Sequence, residues 1–306
     1  MAAGGQRNPI GIEPVPRSSQ SSKSAAFRAL HERPGAFVIP NPWDAGTARI
    51  LEALGFEALA TTSAGLAFTL GVRDGAAHRG QTLANARAIV KATDLPVSAD
   101  LENGFGDRPE TVAETIRMAS AIGLVGGSIE DASGDADRPI YALGHAVERV
   151  VAAVKAARSL YVPFVVTARA ENFLHGRPDL DDTIMRLLAY EQAGADVLYA
   201  PGLPDIAAVR AVCKAVSKPV NFVAGWGSSG FSVEDLSNAG VRRISLGSAL
   251  ARAALGGFVR AAREVRQAGT FGFATDALGY AEANAFMRPT VRRRSITGDR
   301  NAGGRP

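Results

Sequence analysis

From residue 25 onward the chain alternates short apolar or β-branched runs with Ala-rich stretches whose apolar positions recur at helical spacing. The runs at 36–40, 58–62, 96–100, 127–130, 164–169, 197–200, 220–224 and 243–246 predict eight strands. Amphipathic stretches at 45–54, 109–122, 145–160, 181–193, 205–216 and 233–239 predict helices between them, and 276–286 reads as an extra helix beyond the eighth unit. Gly55, Gly123, Gly194 and Gly240 each close a helical stretch a few residues before a strand, where glycine takes the left-handed cap without a steric penalty. Strand followed by helix, repeated eight times, implies a parallel sheet. Because no run has the polar character of an edge strand, the sheet is expected to close. The fold class is therefore α/β, a single (β/α)8 TIM-type barrel over residues 25–287 with an extra C-terminal helix.

Composition changes this picture only at the ends. The 306 residues carry a formal charge of +4 and a pI near 9.4, which raises the question of a nucleic-acid partner. Residues 1–24 and 288–306 together hold a surplus of seven positive charges, so the body between them is about −3. No basic face on the folded domain is indicated, and no nucleic acid is expected. Both ends, 1–24 and the Arg-rich 288–306, are expected to be disordered tails. No apolar run is long enough for a membrane span or a secretory signal, and no membrane partner is expected. The single cysteine, Cys213, sits among Val209, Val212 and Val216 on a helix face, which suits a reducing compartment and a cytoplasmic location.

In a closed parallel barrel the residues just past each strand converge on one mouth. Here they are Asn41 and Asp44, Thr62 and Ser63, Asp74, Asp100 and Glu102, Glu130 and Asp131, and Arg169, Glu171 and Asn172. So many carboxylates in one cavity require a cation or strongly raised pKa values. Oxygen donors without His or Cys favour Mg2+ or Mn2+ over Zn2+. The plainer alternative is that these acids cap the following helices, as Asp44 would before Ala45. Arg169 could hold a substrate carboxylate by a two-pronged hydrogen bond, or pair internally with Glu171 or Glu130. The stretch 225–230 matches G-x-G-x-x-G but follows the seventh strand, so it fits a phosphate or carboxylate cradle, or a flexible turn, better than a dinucleotide fingerprint. Histidines 31, 78, 145 and 175 show no metal-ligand spacing, and no Gly-x-Ser-x-Gly elbow occurs.

Taken as a set, Asn41-Pro42-Trp43-Asp44-Ala45, Thr62-Ser63-Ala64-Gly65, Leu70-Gly71-Val72-Arg73-Asp74, the segment from Ser98 to Gly106 containing Asp100-Leu101-Glu102, Ser128-Ile129-Glu130-Asp131 and Thr167-Ala168-Arg169-Ala170-Glu171 resemble the isocitrate lyase and phosphoenolpyruvate mutase superfamily. The resemblance implies a barrel that uses Mg2+ to chelate a 2-oxo carboxylate unit and breaks or makes the adjacent C–C or C–P bond. It implies Asp100 as direct metal ligand and Asp74, Glu102 and Glu130 as holders of the metal's water shell. Arg169, with Thr62, Ser63 and Ala64, would bind the substrate carboxylate beside Asp100, and Arg169 and Glu130 would act in catalysis.

Two departures bear on the reaction. The family's D-x-D is here Asp100-Leu101-Glu102, whose longer side chain could displace a coordinating water or reach the ion. The lyases' K-K-C-G-H loop is here residues 132–139, without Cys, Lys or His, and the mutase's lysine and asparagine are also missing. The expected activity is a Mg2+-dependent lyase or decarboxylase acting on a small 2-oxo or 2-hydroxy carboxylic acid through an enolate. C–P or phosphoryl chemistry of the phosphoenolpyruvate mutase or carboxyphosphonoenolpyruvate phosphonomutase type is the alternative, and a non-catalytic metabolite-binding barrel is a third. The extra helix resembles the family's element exchanged between subunits, which implies a homo-oligomer, a dimer or tetramer.

Overall fold

The computed structural model describes residues 18–225 and 230–288. Eight strands, β1 (Phe37–Ile39), β2 (Leu59–Ala60), β3 (Val97–Asp100), β4 (Gly126–Glu130), β5 (Val165–Arg169), β6 (Val197–Tyr199), β7 (Val220–Val223) and β8 (Arg243–Ser245), lie within the runs expected or one residue beyond them. All neighbouring pairs are parallel, in the order β1-β8-β7-β6-β5-β4-β3-β2. The remaining gap is bridged where the Ala60 amide donates to the Pro40 carbonyl at 3.1 Å, so the barrel is nearly closed.

Around it run α1 (Gln20–Glu32), α2 (Ala45–Ala53), α3 (Ser63–Thr69), α4 (Arg79–Ala92), α5 (Pro109–Ala121), α6 (Leu143–Arg158), α7 (Leu180–Gln192), α8 (Ile206–Ala215), α9 (Val233–Asn238), α10 (Ala249–Ala268) and α11 (Tyr280–Phe286). Their starts are chemically marked. Asp44 accepts from the Thr47 amide at 2.7 Å in a capping box, and Pro109 opens α5 where no amide partner is needed. Gly55, Gly123, Gly194 and Gly240 all take positive φ, between 88° and 103°, as the cap requires. Two apolar layers lie between strands and helices, one centred on Leu59, Val97, Ile116 and Val166, the other on Leu187, Leu198, Val212 and Ile244. Cys213 in α8 is half-buried beside Val209 and Val212, and burial pushes its thiol up to about 11.

A third cluster, Phe27, Leu30, Phe37, Val165 and Val197, fills the base of the barrel, and α1 supplies its plug. The expected tail at 1–24 therefore ends too late, because the chain is helical from Gln20. Its polar residues are spent on buried carbonyls: Gln20 donates to Ser120 and Leu124 (2.8 and 2.9 Å), Lys23 to Thr93 (2.8 Å) and Ser24 to Pro163 (2.5 Å). His31 lies edge-on between Phe27 and Phe37, and burial drives its pKa down to about 3. Residues 1–17, 289–306 and 226–229, where the rest of the tails and most of the glycine-rich stretch fall, lie outside the described residues.

The extra helix also needs correction. Residues 272–275 form a 3-10 turn and α11 begins only at Tyr280. The 20-residue α10 before it was not placed by periodicity, and it buries only Ala251. Among the described residues no helix is long and apolar enough to cross a membrane.

Candidate active site at the barrel mouth

The C-terminal ends of the strands open into a cavity of about 340 Å³ lined by Thr62, Ser63, Ala64, Asp74, Asp100, Glu102, Glu130, Arg169 and Glu171. Of the residues expected at the mouth, these and Asn41 line it together. The alternation of strand side chains explains how: Asp100, Glu130 and Arg169 end β3, β4 and β5 and face inward, while Leu101 and Ile129 pack outward into the helix layer.

Arg169 is the hub. Its Nη1 meets Asp100 Oδ1 at 3.2 Å and Glu130 Oε2 at 3.3 Å, its Nε donates to Glu171 Oε1 at 2.8 Å, and its guanidinium carbon lies 4.8 Å from the centre of the Tyr199 ring. The internal pairing considered for Arg169 is thus present with Glu130 and Glu171 and extends to Asp100. Both Nε and Nη1 are engaged, and Nη2 alone has no acceptor among the described residues.

Beyond Asp100 the chain turns sharply, and Glu102 has a φ of 49°, a strained value for a residue with a Cβ. Its amide donates back to Asp100 Oδ1 at 3.2 Å and its carbonyl accepts from the Glu130 amide at 3.0 Å. The following loop is clamped by Arg149 of α6, whose Nη1 donates to the carbonyls of Gly106 and Asp107 (both 2.6 Å) and whose Nη2 donates to that of Asn103. The guanidinium stacks 4.3 Å over the Tyr141 ring. No sequence signal marked Arg149, which lies mid-helix among apolar residues.

The acids are under-donated. Asp100 Oδ2 receives only the Ser63 amide, at 3.4 Å, and Glu102 Oε1 is buried with no partner. Burial, then the charges of Asp100 and Asp74, push Glu102 up to about 7. Burial and Asp100 likewise raise Asp74, whose Oδ1 accepts from the Gly75 amide at 3.0 Å. Burial holds Glu130 well above the carboxylate range despite Arg169.

Three residues expected at the mouth are elsewhere, Asp44 being spent on the cap of α2. Asp131 and Asn172 do not line the cavity; both are buried behind it, Asp131 accepting from the Glu171 amide (2.8 Å), Arg186 (3.1 Å) and Tyr190 (2.6 Å). Thr62 lines the cavity and also caps α3, accepting from the Gly65 amide at 3.3 Å. Cavity residues not foreseen are Tyr199, His175, Arg243, Ser248 and Arg252.

Among the described residues no three acids or imidazoles converge on a point as a ready-made coordination sphere. A hydrated Mg2+ needs none, since it keeps most of its waters and takes one or two carboxylates directly. Asp100 Oδ2, the orphaned Glu102 Oε1 and Asp74, raised by burial and by Asp100, fit that mode of binding.

Residues 27–266 match the phosphoenolpyruvate phosphomutase family. A Burkholderia cenocepacia J2315 protein classed provisionally as a lyase/mutase has a crystal structure 59% identical to this chain, with a TM-score of 0.87 over 88% of this chain and 97% of that one. The 2-methylisocitrate lyase of Escherichia coli K12 is 29% identical over 210 residues, 66% of this chain and 70% of its own. Oxaloacetate acetylhydrolase, solved with its product oxalate, is 25% identical with a TM-score of 0.79 over 88% of this chain and 94% of its own.

Proposed function

The chain belongs to the phosphoenolpyruvate phosphomutase family, and from that premise we propose that it is a Mg2+- or Mn2+-dependent lyase or decarboxylase that cleaves a C–C bond of a small 2-oxo or 2-hydroxy carboxylic acid through an enolate. The observation that carries this reading is the shortage of donors around Asp100 and Glu102: burial and the charge of Asp100 raise both Glu102 and Asp74 beside it, and the Arg169 guanidinium is shared with Glu130 and Glu171. Asp100 would hold the ion directly, with Asp74, Glu102 and Glu130 holding its water. When bound, a divalent ion supplies a Lewis acid for the developing oxyanion.

The chain's own residues do the rest. Three carboxylates fix the Arg169 guanidinium in orientation, leaving Nη2 for the substrate carboxylate. Thr62, Ser63 and Ala64 line the same pocket, with the Ser63 amide 3.4 Å from Asp100 Oδ2. Glu130, kept protonated by burial more readily than an exposed acid, can carry a proton at its carboxyl. Loss of CO2 requires no general acid on the leaving group, which suits a loop at 132–139 without Cys, Lys or His.

A homo-oligomer, dimer or tetramer, in which α10 and α11 pack on a neighbouring subunit is part of the proposal. It is supported by the exposure of Leu255, Phe258, Phe271, Leu278 and Tyr280 along that arm. Light scattering that gives a monomer at micromolar concentration would refute it. The buried thiol of Cys213 and the absence of a second cysteine agree with a cytoplasmic location. The reaction is tested by assaying oxaloacetate, methylisocitrate and phosphonopyruvate with Mg2+ and with EDTA. Metal-dependent C–C cleavage is expected; turnover that survives EDTA, or turnover of phosphonopyruvate alone, overturns the reading.

A further inference from the structure

Carboxylates hold the Arg169 guanidinium at Nε and Nη1. A planar group held at two atoms can still swing about the line between them, and its free Nη2 swings with it. What fixes the plane is Tyr199, whose ring centre lies 4.8 Å from the guanidinium carbon. Whatever holds Tyr199 therefore decides where Nη2 points.

The Tyr199 hydroxyl bonds to that of Ser245, which also accepts from Asn221 Nδ2 at 3.0 Å. Asn221 Oδ1 in turn accepts from Arg243 Nε at 2.7 Å, and Arg243 Nη2 reaches across the barrel interior to Thr167 Oγ1 at 3.0 Å. Thr167 stands two residues before Arg169 on β5, on the same inward face. The contacts thus close into a circuit, from β5 through β6, β7 and β8 and back to β5. Sheet register places them, since Arg169, Tyr199, Asn221 and Arg243 are successive partners across four neighbouring strands. Thr167, Tyr199, Asn221, Arg243 and Ser245 are all buried.

Arg243 is the costly member. Among the described residues no carboxylate pairs with it, and its Nη1 is buried without a partner. Burial lowers its pKa to about 10, with Tyr199 opposing the fall and Arg169 adding to it, so the group stays charged at neutral pH. A buried charge without a counter-charge is destabilising, and Val, Ile or Leu ordinarily fill a barrel interior without that penalty. A guanidinium fork, unlike those residues, serves Asn221 and Thr167 at once.

We propose that Arg243 is a positioning residue for Arg169: through Asn221, Ser245 and Tyr199 it fixes the tilt of a guanidinium to which it makes no bond itself. The inference rests on the lyase reading, in which Arg169 Nη2 takes the substrate carboxylate, and adds the part of the chain that aims this donor.

The test is calorimetric titration of oxalate into the full chain in Mg2+, well below the melting temperature of each variant. Tyr199→Phe keeps the aromatic ring over Arg169 and loses only the bond to Ser245, whereas Arg243→Met removes the fork and the charge. Each is expected to weaken oxalate binding by about ten-fold, and the double variant by no more than the stronger single one, because both cut the same circuit. Thr167→Val, of nearly the same shape, takes the acceptor from Nη2 and should show the same loss, which serves where Arg243→Met does not fold. Leu30→Ala loosens the base of the barrel outside the circuit; it should lower the melting temperature and leave oxalate affinity unchanged. Wild-type affinity in Tyr199→Phe or in Thr167→Val, additive losses in the double variant, or an equal loss in Leu30→Ala overturns the positioning role and spares the lyase reading. Absence of Mg2+-dependent oxalate binding by the wild type overturns that reading, and the role with it.

Discussion

Two sets of carboxylates lie on either side of the Arg169–Glu171 pair, one buried and one at the cavity, and they are built on opposite terms. Asp131 is 3% exposed, and both its oxygens are filled by groups of its own chain: the Glu171 amide on one, Arg186 and Tyr190 on the other. Asp100 has one oxygen shared by Arg169 and the Glu102 amide, while the other has a single long contact, and Asp74 and Glu102 crowd it with more negative charge. An acid supplied with its own donors is a structural strut, because folding alone meets its desolvation cost. An acid left short of donors beside like charges is stabilised only by something from outside. The donor count thus separates structural acids from site acids more sharply than position at a strand end does.

The largest effect should come from the under-donated set. Asp100→Ala is expected to lower kcat/KM by on the order of 10³ or more, as loss of a Lewis-acid contact of several kcal/mol implies, and to abolish Mg2+-dependent oxalate binding in calorimetry. Normal turnover by this variant would place Asp100 with the struts. Next is Arg169→Lys, which keeps a charge but loses the fork. A loss of about 10² in kcat/KM is expected. Arg169→Met would leave Asp100, Glu130 and Glu171 unpaired and cost about 3–5 kcal/mol in denaturant unfolding at neutral pH.

Tyr190→Phe probes the other set. It removes one of two donors from Asp131 Oδ2, 2.6 Å away, in a site closed to water. A cost of about 1–3 kcal/mol is expected in urea unfolding, with kcat/KM within roughly two-fold of wild type. A large fall in kcat/KM at unchanged stability would show that the strut also positions Glu171 and Arg169, and the division between the two sets would fail.

This division also marks how far the sequence was legible. Period-two and helical patterns placed all eight strands, because each run is apolar and bounded by a capping residue or glycine. They brought Asp100, Glu102, Glu130 and Arg169 to one mouth because residues ending parallel strands must meet there. Asp131 was misplaced for the same reason: it directly follows Glu130, and alternation turns it outward toward Arg186 and Tyr190. Arg243, Ser248 and Arg149 left no trace, since a buried polar residue on an apolar strand or helix is declared only by its long-range partners. The start of α1 was hidden because Gln20, Lys23 and Ser24 resemble a solvated tail while serving carbonyls 70 to 139 residues away. Along α10 and α11, Leu255, Phe258, Phe271, Leu278 and Tyr280 stay exposed among the described residues, although α11 touches α2.

The smallest predicted effect is a slope. Glu102 rises from 4.5 in an unstructured chain to about 7 in the fold, so the folded state binds the proton more tightly. Its contribution to stability is therefore full below about pH 4.5 and is lost as pH climbs through 7. Asp74 shifts in the same direction. In EDTA, wild-type melting temperature should fall relative to Glu102→Gln between pH 5 and pH 8, by roughly 2–4 °C for a chain of this size. Mg2+ binds the ionised carboxylates, so its stabilising increment should grow over the same interval in the wild type and grow less in the variant. Asp131, filled by its own donors, has no such dependence on an outside ion. If the wild type and Glu102→Gln keep parallel melting curves across that interval with and without Mg2+, Glu102 belongs with Asp131 and not with Asp100.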